Sequence, residues 1–234
     1  MDATVGVALW LSLKVAGLAT LLNIVLGTAA GFALARWRFA GRDVLDTVLT
    51  LPMVMPPTVL GYYLLVLLGR NGPIGGWLQN TFGINLIFTW QGAVIAAMVV
   101  TFPLVFKPAR AAFEGVNPQL EQAARVLGLC ERSVFFRVSL PLAWRGILAG
   151  VLLAFARVSG ETAPLLYTAL NNQFFSTNMN APIANLPNTI FQFAMSPYQD
   201  WQRLAWAAAL LITLTVLIAN IAARFLSRQS ASKH

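Results

Sequence analysis

Long runs without a charged residue dominate this chain. The runs cover residues 6–35, 48–68, 86–106, 146–156 and 204–223. Lys14 is the single charge inside the first run. The fourth run continues to residue 170 and is apolar apart from Arg157 and Glu161. An α-helix needs about 20 residues to cross a hydrocarbon core about 30 Å thick, so the pattern predicts about five transmembrane helices.

The overall composition supports a membrane-embedded fold. Apolar residues make up 58% of the chain and charged residues 10%, whereas soluble domains carry about 25% charged residues. Too little polar sequence remains to cover the core of a soluble protein of this size. We therefore predict an all-α integral membrane protein with one transmembrane domain over residues 1–234. The first run is too long for the apolar region of a signal peptide, so we expect it to be retained.

Basic residues are concentrated in the segments on one side of the predicted spans. Twelve of the 16 lysines and arginines lie between spans one and two, between spans three and four, or after span five. They are Arg36, Arg38, Arg42, Lys107, Arg110, Arg125, Arg132, Arg137, Arg145, Arg224, Arg228 and Lys233. Basic loops stay in the cytoplasm, so five spans predict an outside N-terminus and a cytoplasmic C-terminus. The net charge of +8 then indicates orientation and contact with anionic lipid, not nucleic-acid binding.

The sequence lacks the motifs of a catalytic site. It contains no Gly-x-x-x-x-Gly-Lys-Ser/Thr phosphate loop, so we expect no ATP hydrolysis by this chain. Gly-x-Ser-x-Gly and His-Glu-x-x-His motifs are missing too. The one cysteine, Cys130, and the one histidine, His234, cannot form an internal disulfide or a metal-thiolate cluster. We predict a non-catalytic protein without a metal or a cofactor.

The segment over residues 113–140 differs from the spans because it is polar with regularly spaced apolar residues. The apolar positions have helical spacing and include Leu120, Ala124 and Leu127. Asn117 with Pro118 suits a helix start, and Gly128 suits a helix end. We predict an amphipathic helix of about ten residues, too short to span a bilayer. It either lies on the membrane surface or docks into a partner protein, and periodicity leaves both alternatives open.

Two further features are candidates for a transport path. Pro56 and Pro57 stand at the start of the second span, where they mark either a helix N-terminus or a bent helix beside a path. Arg157 and Glu161 are spaced i, i+4 on one face of the fourth span. They form either a mutual salt bridge or a site in which Arg157 faces a water-filled cavity and favours an anion.

The stretch from Glu121 to Gly128, followed by Leu140 and Pro141, resembles the EAA signature of binding-protein-dependent ABC importer permeases. The resemblance implies the type I permease fold and a coupling helix that docks into a cytoplasmic ATPase subunit. The residues that it implicates in coupling are Glu121, Ala123, Ala124, Gly128, Leu140 and Pro141.

The resemblance divides along the chain. Residues 9–156 are similar to molybdate importer permeases, through stretches such as Leu11 to Val15 and Trp90 to Val94. Residues 157–234 resemble the second permease of phosphate importers, through Gly160 to Leu166.

The resemblance implies a function as the membrane-spanning permease subunit of an ATP-driven oxyanion importer in the bacterial inner membrane. Molybdate is the expected substrate, and phosphate is the alternative. The implied partners are cytoplasmic ATPase subunits, a second permease copy or a related permease, a periplasmic oxyanion-binding protein and the bilayer. An alternative of another class is a membrane scaffold without transport activity, which would not need the EAA segment.

Overall fold

The computed structural model describes residues 3–87, 89–160 and 186–229. Within these ranges the chain forms helices and no strand, which confirms the predicted all-α class. The helices are α1 (Ala3–Arg36), α2 (Arg42–Val54), α3 (Pro57–Leu68), α4 (Pro73–Phe82), α5 (Trp90–Glu114), α6 (Pro118–Val126), α7 (Glu131–Val134), α8 (Leu140–Ser159), α9 (Leu186–Ala194) and α10 (Gln199–Gln229). A π-helical turn, Phe135–Ser139, joins α7 to α8.

The number of membrane spans agrees with the prediction. Four helical stretches are long and apolar enough to cross a bilayer, and they cover Ser12–Arg36, Trp90–Glu114, Glu131–Ser159 and Gln199–Ile218. A bent pair, α2 with the α3–α4 segment, supplies a fifth span if it is counted as one. The fourth span begins at Glu131, so the segment predicted over residues 113–140 contains the first turns of that span.

The second span is sharply bent at its prolines. The two halves, Arg42–Val54 and Pro57–Phe82, meet at 110°. Met55 and Pro56 both have extended backbones, with ψ of 142° and 134°, because a residue that precedes proline is sterically excluded from the helical region. Pro57 is then the first residue of α3, where its missing N–H costs little. The prolines therefore begin a helix and also bend the span, and a path beside the bend stays a prediction.

The centre of the bundle is formed by α1, α5 and α8, which pack through small residues. A Cβ added to Gly31 of α1 would lie 2.9 Å from the Ala109 Cβ of α5. A Cβ added to Gly150 of α8 would lie 2.6 Å from the Leu104 carbonyl oxygen of α5. Small residues permit such close approach, and van der Waals packing is the main attraction between helices in lipid. The arrangement holds the C-terminal ends of α1 and α5 beside the N-terminal end of α8.

One polar contact crosses the interface between α1 and α5 at membrane depth. Asn23 is fully buried and its Nδ2 donates to the Met98 carbonyl at 3.1 Å and to Thr101 Oγ1 at 3.0 Å. Thr101 in turn donates to the Ala97 carbonyl at 2.7 Å. Amide side chains that bond across helices in this way fix the register of two spans, because hydrocarbon offers no alternative partner.

Candidate functional site

The short helix α6 is capped at both ends by its own sequence. Asn117 accepts a hydrogen bond from the Gln119 N–H at 2.9 Å, and Pro118 is the first helical residue. Gly128 adopts a left-handed backbone with φ of 83°. Its N–H donates to the Arg125 carbonyl at 2.9 Å, and the Leu129 N–H donates to the Ala124 carbonyl at 3.2 Å. These two bonds form a Schellman cap, so the predicted helix and its end at Gly128 are confirmed.

The two faces of α6 have different surroundings. Glu121 and Ala124 point towards the rest of the chain and are buried. Leu120, Val126 and Leu127 point away from it, with 48%, 87% and 82% of their surfaces exposed. Because α6 is too short to span a bilayer, this apolar face needs either the membrane surface or a partner protein to cover it.

The buried face of α6 is held by a charged contact. Glu121, which is only 5% exposed, accepts hydrogen bonds on Oε1 from Arg36 Nη2 and, at 2.7 Å, from Ser139 Oγ. Arg36 is the last residue of α1, and Ser139 is the last residue of the π-helical turn. We call Arg36, Glu121 and Ser139 the clamp. It joins α6 to the ends of two other helical segments.

Three aromatic rings pack beside the clamp. Phe32 of α1 lies 5.2 Å from Phe113 of α5 and 4.7 Å from Phe135 of the π-helical turn, in edge-to-face geometry. Phe32 is four residues before Arg36, and Phe135 is four residues before Ser139, so each ring shares a helix face with a clamp residue. Aromatic packing therefore joins the ends of α1 and α5 to the π-helical turn that carries Ser139.

The other residues implicated in coupling lie around this site. Ala123 is exposed on the outer face of α6, and Ala124 is buried on the inner face. Leu140 opens α8 and packs against the core, whereas Pro141 occupies an exposed position in the first turn of α8. The structure therefore gathers all six residues in one region but orients them differently.

Charged residues near α6 pair with one another. Arg125 Nε lies 2.6 Å from Glu131 Oε1, which links the end of α6 to the start of α7. The hydrogen bond to the Glu131 carboxylate raises the pKa of Arg125 above its ordinary value. The pair is exposed to solvent, so we expect it to add little stability.

A second ionic cluster was not predicted from the sequence. Asp46 of α2 contacts Lys107 and Arg110 of α5, each at 2.5 Å, and Glu114 contacts Arg42 at 2.6 Å and Arg110 at 3.0 Å. The alternating charges attach α2 to the end of α5. The one sequence signal was the i, i+4 spacing of Arg42 with Asp46 and of Arg110 with Glu114, which indicates helix faces but not the contact between them.

The candidate path residues are only partly described. Pro56 and Pro57 are exposed at the bend of the second span. Arg157 is exposed in the last turn of α8, and its predicted partner Glu161 lies outside the described residues. In the same part of the bundle Val158 packs in a core cluster with Val15.

A second cation lies at this end of the bundle. The Lys14 Nζ lies 5.6 Å from the centre of the Trp90 ring, a cation–π distance. Lys14 is the one charge in the first apolar run, and nothing in the sequence pattern indicates its contact with Trp90. Among the described residues no group of three or more His, Cys, Asp and Glu side chains could hold a metal ion.

Comparisons with known proteins agree with this geometry. A family model described as the binding-protein-dependent transport system inner membrane component matches residues 23–231. The chain is 40% identical over 228 residues to the molybdenum transport system permease protein ModB of Escherichia coli (strain K12), covering 97% of this chain and 96% of that one. It is 40% identical over 219 residues to the phosphate transport system permease protein PstA of Haemophilus influenzae, covering 91% and 72%.

A solved structure of the MetNI methionine ABC transporter has the same fold. The TM-score is 0.74 at 14% identity, and the match covers 98% of this chain and 99% of that one. The ModB and PstA alignments each extend through most of the chain, so similarity to both kinds of permease continues across residues 9–156 and 157–234. The chain belongs to the family of inner membrane components of binding-protein-dependent transport systems.

Proposed function

We propose that this chain is the permease subunit of an ATP-driven oxyanion importer, and that α6 docks into a cytoplasmic ATPase subunit. The observation that carries the proposal is the outer face of α6. Leu120, Val126 and Leu127 are exposed there, while Glu121 fastens the opposite face to the chain. A helix that is held to the chain on one face and apolar on its exposed face is suited to bind in a hydrophobic groove of a partner protein.

Molybdate is the proposed substrate. The support is the 40% identity to ModB, which spans nearly the full length of both chains. Phosphate is the second candidate, and the comparable identity to PstA favours it. Both are tetrahedral oxyanions, so a cationic path would suit either of them.

The path is proposed to pass Arg157, with Glu161 as a second candidate from the sequence, and to run beside the bend at Pro56 and Pro57. Arg157 is exposed in the last turn of α8, as a residue that meets a passing anion would be. A bent span exposes backbone groups that must face protein or water, which favours a path at this place.

The proposed assembly contains two permeases, two ATPase subunits and a periplasmic oxyanion-binding protein. The N-terminus is outside, and the C-terminus is on the cytoplasmic side with α6. Closure of the ATPase pair would shift α6 and thereby change which side of the membrane the path faces. Such a shift requires that the ATPase contacts differ between the two states.

Uptake measurements test the substrate. Cells that carry this permease, its ATPase and either a molybdate- or a phosphate-binding protein are supplied with one labelled anion and an excess of the other. Uptake of molybdate that phosphate does not inhibit supports the first assignment, and the reverse supports the second. Co-purification of a second, distinct permease also favours phosphate. A chain that binds no ATPase and transports neither anion would instead be a scaffold.

A further inference from the structure

The clamp connects the docking helix to the core of the bundle through a charge on a different helix. Arg36 and Glu121 are 85 residues apart in the chain, and their ion pair joins the end of α1 to the first turn of α6. Ser139 donates to the same carboxylate oxygen. One buried oxygen thus receives hydrogen bonds from two segments, and neither segment belongs to α6.

We infer that Arg36 is a positioning residue for ATPase coupling: it holds Glu121 so that α6, α1 and the start of α8 move as one body. The inference rests on the proposed function, because it assigns a role in the motion that α6 transmits. It also assigns Glu121 a role inside the permease, since its carboxylate faces Arg36 and Ser139 rather than the exposed side of α6.

Three features make the clamp stiff enough for this role. The carboxylate is almost fully buried, so water competes little for its hydrogen bonds. The rings of Phe32, Phe113 and Phe135 pack around the same helix ends, and Phe113 is fully buried. Finally, α1 is in close contact with α5 at Gly31, five residues before Arg36, so a force on α6 passes directly into the central helices.

Ser139 extends the connection into the fourth span. It ends the π-helical turn Phe135–Ser139, immediately before α8 begins at Leu140. π-helical turns interrupt regular α-helices and are frequent at functional sites. The clamp therefore reaches the helix that carries Arg157 at its other end, which connects the docking surface with the proposed path.

The alternative is that Glu121 acts by contacting the ATPase directly. Substitutions of Arg36 distinguish the two explanations. The wild-type complex is reconstituted in liposomes with its ATPase and binding protein, and anions transported per ATP hydrolysed are measured with labelled molybdate and labelled phosphate. We expect Arg36→Ala to lower this ratio about tenfold, within the usual range of coupling energies. Arg36→Lys, which keeps the charge, should retain most of the ratio, and Arg38→Ala, which alters an exposed arginine nearby, should retain all of it.

A double variant sharpens this comparison. Residues that act through one contact show non-additive effects. The double variant Arg36→Ala with Glu121→Ala should therefore transport as many anions per ATP hydrolysed as the more impaired single variant. An unchanged ratio in Arg36→Ala together with a loss in Glu121→Ala would overturn the inference. Losses that multiply in the double variant would overturn it too.

A second measurement uses the permease without any ATPase. Ala124 is buried on the inner face of α6, at 6% exposure, so a cysteine placed there, in a Cys130→Ser background, should react slowly with a maleimide. Arg36→Ala should increase the labelling rate several-fold as α6 leaves the bundle, whereas Arg38→Ala should not. Unchanged labelling in Arg36→Ala would contradict the clamp. Because this test needs no transport, it is informative even if the wild-type chain binds no ATPase and the proposed function fails.

Discussion

At the residue scale, burial separates the residues of the segment from Glu121 to Gly128 into two roles. Glu121 and Ala124 face the bundle, and Ala123 faces away from it. A buried carboxylate whose partner is removed costs about 3–5 kcal/mol, so Glu121 is tolerated only because Arg36 and Ser139 satisfy it. The exposed apolar residues have no comparable partner within the described part of the chain. Burial of these side chains by a docking partner would therefore contribute most of the binding free energy.

Leu127 tests the docking face. Burying a leucine side chain contributes about 1.5–3 kcal/mol, so Leu127→Ala should weaken ATPase binding about tenfold, and Leu127→Asp should weaken it further. The side chain is 82% exposed, so neither change should lower the thermal stability of the permease alone. Binding is measured by titrating the purified ATPase onto the detergent-solubilised permease.

The matched control for Leu127 is Gln119→Asp. It introduces the same charge in the first turn of α6, where a negative side chain is compatible with the helix dipole. We expect ATPase binding close to that of the wild type. Equal loss of binding in Gln119→Asp and Leu127→Asp would indicate that charge, and not the apolar face, governs association.

Gly128 tests the cap of α6. Its φ of 83° lies in the left-handed region, and a Cβ there would meet no atom within 4 Å, so any cost is conformational and not steric. Left-handed backbone costs an ordinary residue about 1–2 kcal/mol, and Asn tolerates it better than Val. We expect anion uptake to fall strongly in Gly128→Val and only slightly in Gly128→Asn, with equal amounts of protein in the membrane. Equal uptake by the two variants would show that the left-handed cap does not matter.

At the element scale, the packing of α1 on α5 determines where the clamp lies. The Asn23 amide and the close approach at Gly31 both fix α1 against α5. The Asp46 cluster fixes α2 against the same helix. Helix α5 therefore acts as the common support for α1 and α2, and its C-terminal end leads directly into α6.

Gly31 tests this support. A leucine there would place atoms against Ala109 and the Arg110 backbone, both 2.9 Å from an added Cβ. Overpacking of this kind costs about 1–3 kcal/mol, so Gly31→Leu should lower the unfolding temperature in detergent. Gly17→Leu on the same helix is the control, because an added Cβ there meets no atom within 4 Å. Similar unfolding temperatures for the two variants would contradict a close helix contact at Gly31.

At the scale of the whole molecule, the sequence predicted what depends on local composition. Charge-free runs located the spans, and Asn117, Pro118 and Gly128 bounded α6, because hydropathy and capping are properties of neighbouring residues. The contacts of Glu121 with Arg36 and of Asp46 with Lys107 were not predicted, since these partners lie 85 and 61 residues apart in the chain and no periodicity connects them. The 110° bend was foreseen as an alternative, but proline alone does not determine an angle between two helix segments.

The orientation of the whole chain remains a prediction, and its single cysteine provides the test. Cys130 is exposed between α6 and α7, on the side that the basic residues indicate to be cytoplasmic. A membrane-impermeant maleimide should therefore label it in inside-out vesicles and leave it unlabelled in intact spheroplasts. Asn71→Cys in a Cys130→Ser background, in the exposed turn between α3 and α4, should show the opposite pattern. Labelling of Cys130 in spheroplasts would reverse the topology and would remove α6 from the reach of a cytoplasmic ATPase. If the proposed docking is correct, adding the purified ATPase to the inside-out vesicles should also slow the labelling of Cys130, because that residue is three positions from Leu127.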